Sequence, residues 1–267
     1  MISVFVCENT PNGIFTGIYD AWDSRLGHTN VRLMLEEEMD GPELFCQYRS
    51  VKADMEKAVR VTRSIERKLG HEVYEIVYYS ILSGKKGSID AVYRFLTLAF
   101  SIGSQCIEQI SHPYVRPVFE RRRNVKREYQ HYQGFLRFSE LDNGVLFSEI
   151  RPENNILQLL GIHFADRFPE ENWIIYEAGR KQAVIHKKGI PFVILKISGR
   201  DELLKKLGVY GYSKREDELQ KLWEEFIAAV GIEERENEKL QRKMLPLRYR
   251  EFMREYNERK SLFFETS

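Results

Sequence analysis

A row of basic side chains in the middle of the chain has the residue types and spacing to bind phosphate. Seven Lys and Arg residues but only two Glu lie between Tyr114 and Phe138, although the net charge of the whole 267-residue chain is +1. A guanidinium holds phosphate oxygens through paired hydrogen bonds, so such a row on a helix is typical of nucleic-acid contact. The candidate ligands are Arg116, Arg121, Arg123, Lys126, Arg127 and Arg137.

The same row has a second interpretation, because charges along a helix are often a solvated face. Arg122 is a separate case, since it falls on the apolar side of this helix. It either forms a buried ion pair or points into a cleft. The residues leave both questions open.

A histidine and an arginine further along the chain could act on a bound ligand. His163 and Arg167 are four residues apart, so a helix places them on one face. An imidazole can transfer protons, and a guanidinium can stabilise developing negative charge. Asn154 and Asn155 precede them near the expected N-terminus of this helix, where backbone N–H groups can receive an anion. Alternatively, the Asn residues cap the helix and His163 lies at the boundary of the core.

Other catalytic patterns are missing or incomplete. There is no Gly-x-x-x-x-Gly-Lys-Ser/Thr loop for nucleoside triphosphates and no Gly-x-Ser-x-Gly turn around a nucleophile. His71-Glu72 lacks the second His of a zinc protease, and the three cysteines are widely separated. The carboxylates near the basic row are equally typical of polar hairpin residues. We therefore expect no metal site and no cofactor.

Hydrophobic periodicity predicts the elements that must position these residues. A strand is expected at Ile2–Cys7, short strands at 31–35 and 44–48, and helices between Val51 and Ile110. The basic row lies on a helix expected at Tyr114–Tyr132. Asn143-Gly144 is a strong hairpin signal and would join Gly134–Glu140 to Val145–Ile150. A helix from Pro152 to Phe168, a hairpin from Trp173 to His186 and a strand at Phe192–Ile197 follow, with further helices towards the C-terminus.

This order of elements predicts an α+β fold in which helices cover one face of an antiparallel sheet. The N-terminal half is expected to be mainly helical, and the C-terminal part to be a helical extension. We predict one segment at 1–112 and a second at 113–267, although the two could also form one compact unit. With 30% charged residues and a longest uncharged run, Phe95–Ile107, below the roughly 20 residues of a membrane helix, the composition favours a soluble, cytoplasmic protein.

Several motifs together resemble one bacterial family. They are Lys126-Arg-Glu before Gly134-Phe-Leu-Arg-Phe138, Ile150-x-Pro152-x-Asn-Asn155, Leu159-Leu-x-x-His163-Phe-x-x-Arg167, Trp173-Ile-Ile and Gly179-Arg180. Asn12-Gly-x-Phe15-x-Gly17 resembles its N-terminal signature, and Arg235-x-Asn237-x-x-Leu-Gln241 with Pro246-x-Arg-Tyr249 resembles its C-terminal one. The family comprises DNA-metabolism or DNA-repair proteins encoded beside a radical-SAM protein. Their domain has been labelled as of unknown function, and some relatives are fused to a uracil-DNA-glycosylase-like domain.

The resemblance implies a DNA-repair context and a radical-SAM partner, and it adds Arg180 to the residues expected at nucleic acid. It implies no reaction, and one helical position departs from the pattern, since Gln130 stands where the family usually has His. Three hypotheses remain open. The chain binds nucleic acid through the basic row, or it is an enzyme on a damaged base or nucleotide with His163 as acid or base, or it only docks the partner protein.

Overall fold

The structure is a computed structural model that describes residues 1–230, 237–253 and Tyr256. The chain forms two compact units. Unit 1 contains Met1–Glu128 and Glu153–Asn155, and unit 2 contains Tyr129–Pro152 and the described residues from Ile156 onward. The segment boundary expected at residue 112 stays a prediction.

Unit 1 begins with a three-stranded parallel sheet. Strands β1 (Ile2–Cys7), β2 (Val31–Leu35) and β3 (Cys46–Val51) lie in the order β2-β1-β3. Both neighbours run parallel to β1. The three strands were expected, but the predicted fold contained only an antiparallel sheet further along the chain, so this parallel sheet was missed. Helix α1 (Pro11–Asp23) supplies the crossover from β1 to β2 that a parallel pair requires.

Four further helices of the first half follow the predicted periodicity. They are α2 (Met55–Leu69), α3 (His71–Ile81), α4 (Ser88–Ile102) and α5 (Arg116–Phe135). Asp54 caps α2 by accepting hydrogen bonds from the backbone N–H groups of Glu56 and Lys57 at 2.8 and 3.2 Å. Gly87 rather than Ser88 is the N-cap of α4. Helix α4 is largely buried, as its apolar circumference predicts.

Unit 2 contains a five-stranded mixed sheet in the order β4-β5-β6-β7-β8. Its strands are β4 (Ser139–Glu140), β5 (Leu146–Ile150), β6 (Trp173–Glu177), β7 (Gln182–Lys187) and β8 (Ile190–Lys196). The antiparallel pairing of the two predicted hairpins is confirmed for β4–β5 and β6–β7. The strand expected at Gly134–Glu140 is shorter than predicted, because α5 continues to Phe135 and β4 contains only Ser139 and Glu140. The β5–β6 pair is parallel, however. Helix α6 (Leu157–Arg167) connects these two strands and allows the chain to re-enter in the same direction.

Helices lie on both faces of the unit 2 sheet, so the prediction of a single covered face is wrong. Adjacent residues of a strand point to opposite faces. On one face the ring of Trp173 contacts Phe164 of α6, at a centroid distance of 6.4 Å. On the other face Ile174 belongs to a buried cluster with Leu203 and Leu204 of helix α7 (Arg200–Lys206).

The C-terminal part contains the expected helices α8 (Lys214–Val230), α9 (Glu238–Met244) and α10 (Leu247–Arg250). Part of the charged stretch predicted at 237–260 lies outside the described residues, as does Arg235 of the C-terminal signature. Within the described ranges, no helix has the length and apolar character needed to cross a membrane.

Helix α1 approaches β1 so closely that only glycine fits at position 17. A Cβ atom on Gly17 would lie 2.2 Å from the Sγ atom of Cys7. Both residues are buried, and burial raises the pKa of the Cys7 thiol to about 12. The thiol therefore stays protonated at neutral pH and serves as a packing group. This contact explains in physical terms the glycine that ends the N-terminal signature.

We expect Gly17→Ala to lower the free energy of unfolding by about 1–3 kcal/mol, because the added methyl group overlaps the sulfur of Cys7. Cys7→Ala in the same chain should recover part of this loss, since the remaining neighbours of the new methyl group are 3.7 Å away. Urea unfolding of the four proteins of this double-mutant cycle measures the coupling.

Gly134→Ala is the matched control, because this glycine lies in α5 with no atom within 4 Å of its Cβ position. Alanine there should stabilise the chain by up to about 1 kcal/mol. Equal losses at the two glycines, or no recovery from Cys7→Ala, would contradict the close packing.

Candidate nucleic-acid interface

Helix α5 presents its basic residues because an apolar stripe anchors its other side. Val118 and Val125 are buried with 0% exposure, and the Val118 carbonyl accepts a hydrogen bond from Ser80 Oγ at 2.9 Å. Arg122, on the buried side, donates to Glu75 Oε1 at 2.8 Å. Lys126 donates to the same oxygen at 2.7 Å. Of the two roles expected for Arg122, the ion pair is the one observed.

Glu75 has a carboxylate that serves both cations. Its hydrogen bonds from Lys126 and then Arg122 hold its pKa below the ordinary range of a glutamate. The ammonium group of Lys126 also lies 5.0 Å from the ring centre of Tyr79. Lys126 is thus engaged within the protein. Its place among the phosphate ligands stays a prediction that these contacts weaken.

Two more residues of the basic row are held by neighbours. Arg116 forms an exposed ion pair with Glu120 at 2.9 Å. Arg121 donates to Ser88 Oγ at 3.0 Å and to the carbonyl of Pro117 at 3.1 Å. Burial lowers the pKa of Arg121, although the guanidinium keeps its charge. These contacts fix the helix in place and leave Arg121 few donors for a ligand.

Arg123 and Arg127 are the two members of the row that face solvent without such contacts. Both are exposed and four residues apart, so they share one face of α5. Within the part of the chain that the structure describes, neither guanidinium has an ion pair or hydrogen bond. Arg137 lies beyond the helix end and donates to the Gly134 carbonyl at 2.9 Å. Of the basic row, Arg123 and Arg127 are therefore the residues best placed to bind a phosphate.

Asn154 is buried and belongs to a hydrogen-bonded clamp around Glu128. The Glu128 carboxylate, 2% exposed, accepts hydrogen bonds from the backbone N–H of Glu153 at 3.0 Å and of Asn154 at 2.8 Å. It also accepts one from Asn154 Nδ2 at 2.6 Å. The Asn154 side-chain oxygen accepts from the Gly84 N–H at 3.1 Å. Both ends of the Asn154 amide are thus engaged within the protein, so its contact with nucleic acid stays a prediction that these bonds weaken.

Asn155 is held in a similar way. Its backbone N–H donates to the Leu82 carbonyl at 2.8 Å, and its side chain donates to the Asn9 carbonyl at 3.4 Å. Helix α6 begins only at Leu157, with Ile156 as a cap without a side-chain hydrogen bond. The prediction that this helix starts at Pro152, with the two Asn residues at its anion-binding end, is therefore wrong.

His163 and Arg167 lie together on α6 as predicted. The Nδ1 atom of His163 is 3.1 Å from Gln133 Nε2, and its ring meets that of Tyr129 edge to face at 6.5 Å. Burial, followed by the nearby charge of Arg167, lowers the pKa of His163 below its ordinary value. Arg167 is exposed and lies over the ring of Phe168 at 5.6 Å. A neutral imidazole beside a cation suits a proton acceptor.

The amide of Gln133 also selects the tautomer of His163. Since an amide N–H₂ can only donate, Nδ1 accepts this bond and the proton of the neutral ring resides on Nε2. Gln133 was not identified from the sequence, because it lies 30 residues from His163 and carries no motif of its own.

Arg180 forms an ion pair with the fully buried carboxylate of Glu177. It also donates to the carbonyl of Pro152 at 3.4 Å. With its own side chain only 16% exposed, Arg180 is engaged in the turn after β6. Its expected contact with nucleic acid stays a prediction to which these bonds lend no support.

The C-terminal signature meets the helix that carries the basic row. His131 Nδ1 lies 3.0 Å from the hydroxyl of Tyr249, and the rings of Tyr132 and Phe135 surround the same tyrosine. Arg248 donates to this hydroxyl at 2.8 Å. His131 follows Gln130, the position at which the family pattern has a histidine. Its partner, Tyr249, lies 118 residues further along the chain. Sequence spacing alone carries no signal for a pair so distant.

Comparison with known protein families shows which family the chain resembles. A sequence model described as a domain of unknown function (DUF4130) matches residues 86–255, which is more than half of the chain. The matched range includes α5, α6 and the whole unit 2 sheet. No curated protein is similar enough to match the chain. Among the described residues, no three His, Cys, Asp or Glu side chains are grouped in a way that could hold a metal ion.

We expect Asn154→Asp to lower the free energy of unfolding by about 2–4 kcal/mol, because it turns a buried donor into a carboxylate facing that of Glu128. Two adjacent carboxylates raise one pKa, so the folded variant binds an extra proton and regains stability as the pH falls from about 7.5 to about 5. Urea unfolding at both pH values measures the effect. Asn155→Asp is the control, with an expected loss below about 1 kcal/mol. Similar losses at both positions would refute the clamp.

The lowered pKa of His163 makes a second prediction. In the unfolded chain the His163 imidazole is protonated near pH 6.5, and in the folded chain only at lower pH. The contribution of this residue to the free energy of unfolding is therefore fully present above about pH 6.5 and decreases as the pH falls. His163→Gln should flatten this decrease between about pH 7.5 and 5. Urea unfolding as a function of pH measures it, with the exposed His71→Gln as control.

Arg167→Gln should raise the pKa of His163 towards its ordinary value, because it removes the neighbouring cation. Titration of the imidazole resonance by NMR measures this directly. An unchanged pKa in this variant would show that Arg167 does not tune the imidazole.

Proposed function

Since the chain belongs to the DUF4130 family, we propose that it is a DNA-repair or DNA-metabolism protein that binds nucleic acid through helix α5 and works with a radical-SAM partner. The observation that carries the binding proposal is the pair of exposed guanidinium groups of Arg123 and Arg127. The DNA context and the partner rest on the family resemblance of the motifs. The fusion of some relatives to a uracil-DNA-glycosylase-like domain supports the same context.

The contacts within α5 favour a ligand role for this pair over its neighbours. Arg122 and Lys126 neutralise Glu75, and Arg116 neutralises Glu120, so these cations already have carboxylate partners. Arg123 and Arg127 keep their hydrogen-bond donors for a ligand. A guanidinium is weakly hydrated and planar, and it binds phosphate oxygens better than an ammonium group does. The pair is thus a small, well-defined phosphate contact on a rigid helix.

Binding through this pair is independent of base sequence, because contacts to phosphate position a protein on DNA without reading it. The overall charge of +1 provides little long-range attraction. The affinity of this protein for DNA is therefore expected to be modest at physiological salt. A partner that supplies further contacts would raise the affinity through effective concentration.

An enzyme that acts on a damaged base or nucleotide is the second candidate function, and the site of His163 favours it. The imidazole is neutral at physiological pH, its tautomer is set by Gln133, and Arg167 lies on the same face of α6. His163 would act as the proton acceptor and Arg167 would stabilise negative charge. The pH dependence predicted for His163 tests the premise of this alternative.

Arg123→Glu combined with Arg127→Glu should weaken binding to a DNA duplex at least tenfold and reduce the slope of log K against log salt by about 2, because two phosphate contacts are lost. Fluorescence anisotropy with a labelled oligonucleotide at several salt concentrations measures both quantities. The same titration with a single strand establishes which form binds more tightly.

Arg63→Glu combined with Arg67→Glu is the matched control. These exposed arginines are also four residues apart on a helix of unit 1, and the change in net charge is identical. Binding in the control should stay within about twofold of the natural protein. If both double variants lose affinity equally, a diffuse charge effect replaces the proposed contact, and the α5 interface is wrong.

A further inference from the structure

Unit 1 contains an open cavity that none of the motifs described above includes. It has a volume of about 840 Å³ and lies between α1, α2, α4 and the loop after α1. Cavities that bind small molecules have volumes of about 300–1,000 Å³. The cavity is therefore large enough for a ligand with a ring system and a polar group.

One wall of the cavity is aromatic. The indole of Trp22 meets the rings of His28 at 4.7 Å and of Phe100 at 5.4 Å, both in edge-to-face geometry. Trp22 remains 36% exposed although it lines the cavity. An aromatic surface of this kind is a platform on which a planar ring can stack.

His28, which also lines the cavity, is held by a buried tyrosine. Its Nδ1 atom lies 2.9 Å from the hydroxyl of Tyr93, a residue that is completely buried. Burial raises the pKa of Tyr93 to about 12, so the hydroxyl keeps its proton at neutral pH. Tyr93 thus holds the His28 ring in place at the cavity.

Three cations also line the cavity, and the ammonium group of Lys68 lies 5.8 Å from the ring centre of Phe100. Arg60 and Lys68 are exposed on α2, two turns apart, with Ser64 between them on the same face. Arg25 extends from the loop after α1, and Asp23 is the one carboxylate of the lining. In the ranges that the structure describes, the guanidinium groups of Arg25 and Arg60 have neither an ion pair nor a hydrogen bond. The lining therefore has donors and positive charge available for an anion.

The backbone at Arg25 supports a role for this side chain. Its φ is +52°, in the left-handed region where helix ends normally place glycine. A residue with a Cβ atom pays about 1 kcal/mol for this conformation. Helices α1, α2 and α4 also end beside the cavity, at Asp23, Leu69 and Ile102. The carbonyl groups in the last turn of a helix are hydrogen-bond acceptors.

We propose that this cavity binds a nucleotide, with the base against Trp22 and Phe100 and the phosphate at Arg60, Lys68 and Arg25. A base brings a planar ring and N–H donors that suit the helix ends, and a phosphate suits the cations. The nucleotide is either free or part of a single strand, since both present the same chemistry. The site shares no residue with the α5 interface, so neither proposal depends on the other.

Trp22 provides the readout for the test. The chain has three tryptophans, of which Trp173 is buried with 0% exposure. Trp223 is exposed on α8, so Trp223→Phe makes Trp22 the tryptophan that a soluble ligand can quench. This protein is titrated with deoxynucleoside 5′-monophosphates, the matching nucleosides, inorganic phosphate and an oligothymidylate.

Quenching of Trp22 fluorescence gives a dissociation constant for each ligand. We expect this constant to be at least tenfold lower for the nucleotides or the oligothymidylate than for the nucleosides. Quenching by the monophosphates identifies a free nucleotide as the ligand, and quenching by the oligonucleotide alone identifies a strand. Arg60→Glu with Lys68→Glu should weaken binding at least tenfold. Ser64→Tyr, which fills the cavity without changing its charge, should abolish quenching.

Two controls separate this site from general charge effects. Arg63→Glu with Arg67→Glu changes the same helix outside the cavity and should leave quenching within twofold. Arg123→Glu with Arg127→Glu should leave quenching by the monophosphates within twofold, which distinguishes this site from the α5 interface. The proposal is overturned if no nucleotide or oligonucleotide quenches Trp22, if nucleosides bind equally well, or if the Arg63 and Arg67 control weakens binding as much as the cavity variant.

Discussion

The buried carboxylate of Glu128 is the interaction on which the arrangement of the central region depends. A carboxylate can accept several hydrogen bonds at once, and this one accepts two from backbone N–H groups and one from the side chain of Asn154. It thereby fixes the point at which the chain returns to unit 1 after β5. The return is reinforced by the bond from the Asn155 N–H to the Leu82 carbonyl. A neutral or shorter side chain at position 128 would leave several of these donors unsatisfied in a buried place, where each lost bond is costly.

Local sequence patterns predicted the elements of this fold better than their arrangement. The Asn143-Gly144 turn, the strand Ile2–Cys7 and the buried helix α4 follow from periodicity and turn chemistry. The parallel pairs β1–β2 and β5–β6 were missed because strand pairing is a non-local property. In both cases a helix intervenes between the strands, and this order is the signal that favours a parallel pair. Helix α6 was expected five residues too early because Pro152 was taken as its first residue, whereas the backbone N–H groups of Asn154 and Asn155 are bonded to Glu128 and Leu82.

The sequence predicted which residue types form the candidate sites, but not which of these residues already have partners within the protein. A helical wheel places Arg122 and Lys126 near the other cations of α5, yet their partner Glu75 lies 47 and 51 residues away. Sequence spacing contains no information on such a contact. The cations of the cavity carried a weak signal, since Arg60, Ser64 and Lys68 are spaced by four residues, but a solvated helix face has the same spacing. The aromatic wall beside those cations comes from two other helices, α1 and α4, and from the loop after α1.

The chain path through Glu128 also decides how this protein can be divided. Unit 1 consists of a long N-terminal stretch and the three residues Glu153–Asn155, which lie beyond a stretch of unit 2. A single cut of the backbone therefore never separates the two units completely. A protease that nicks the exposed Asp142–Gly144 turn would leave Asn154 still bonded to Glu128, and the two fragments would stay associated until denatured. Truncation after Glu128 would remove all three hydrogen bonds that Glu153 and Asn154 donate to its carboxylate.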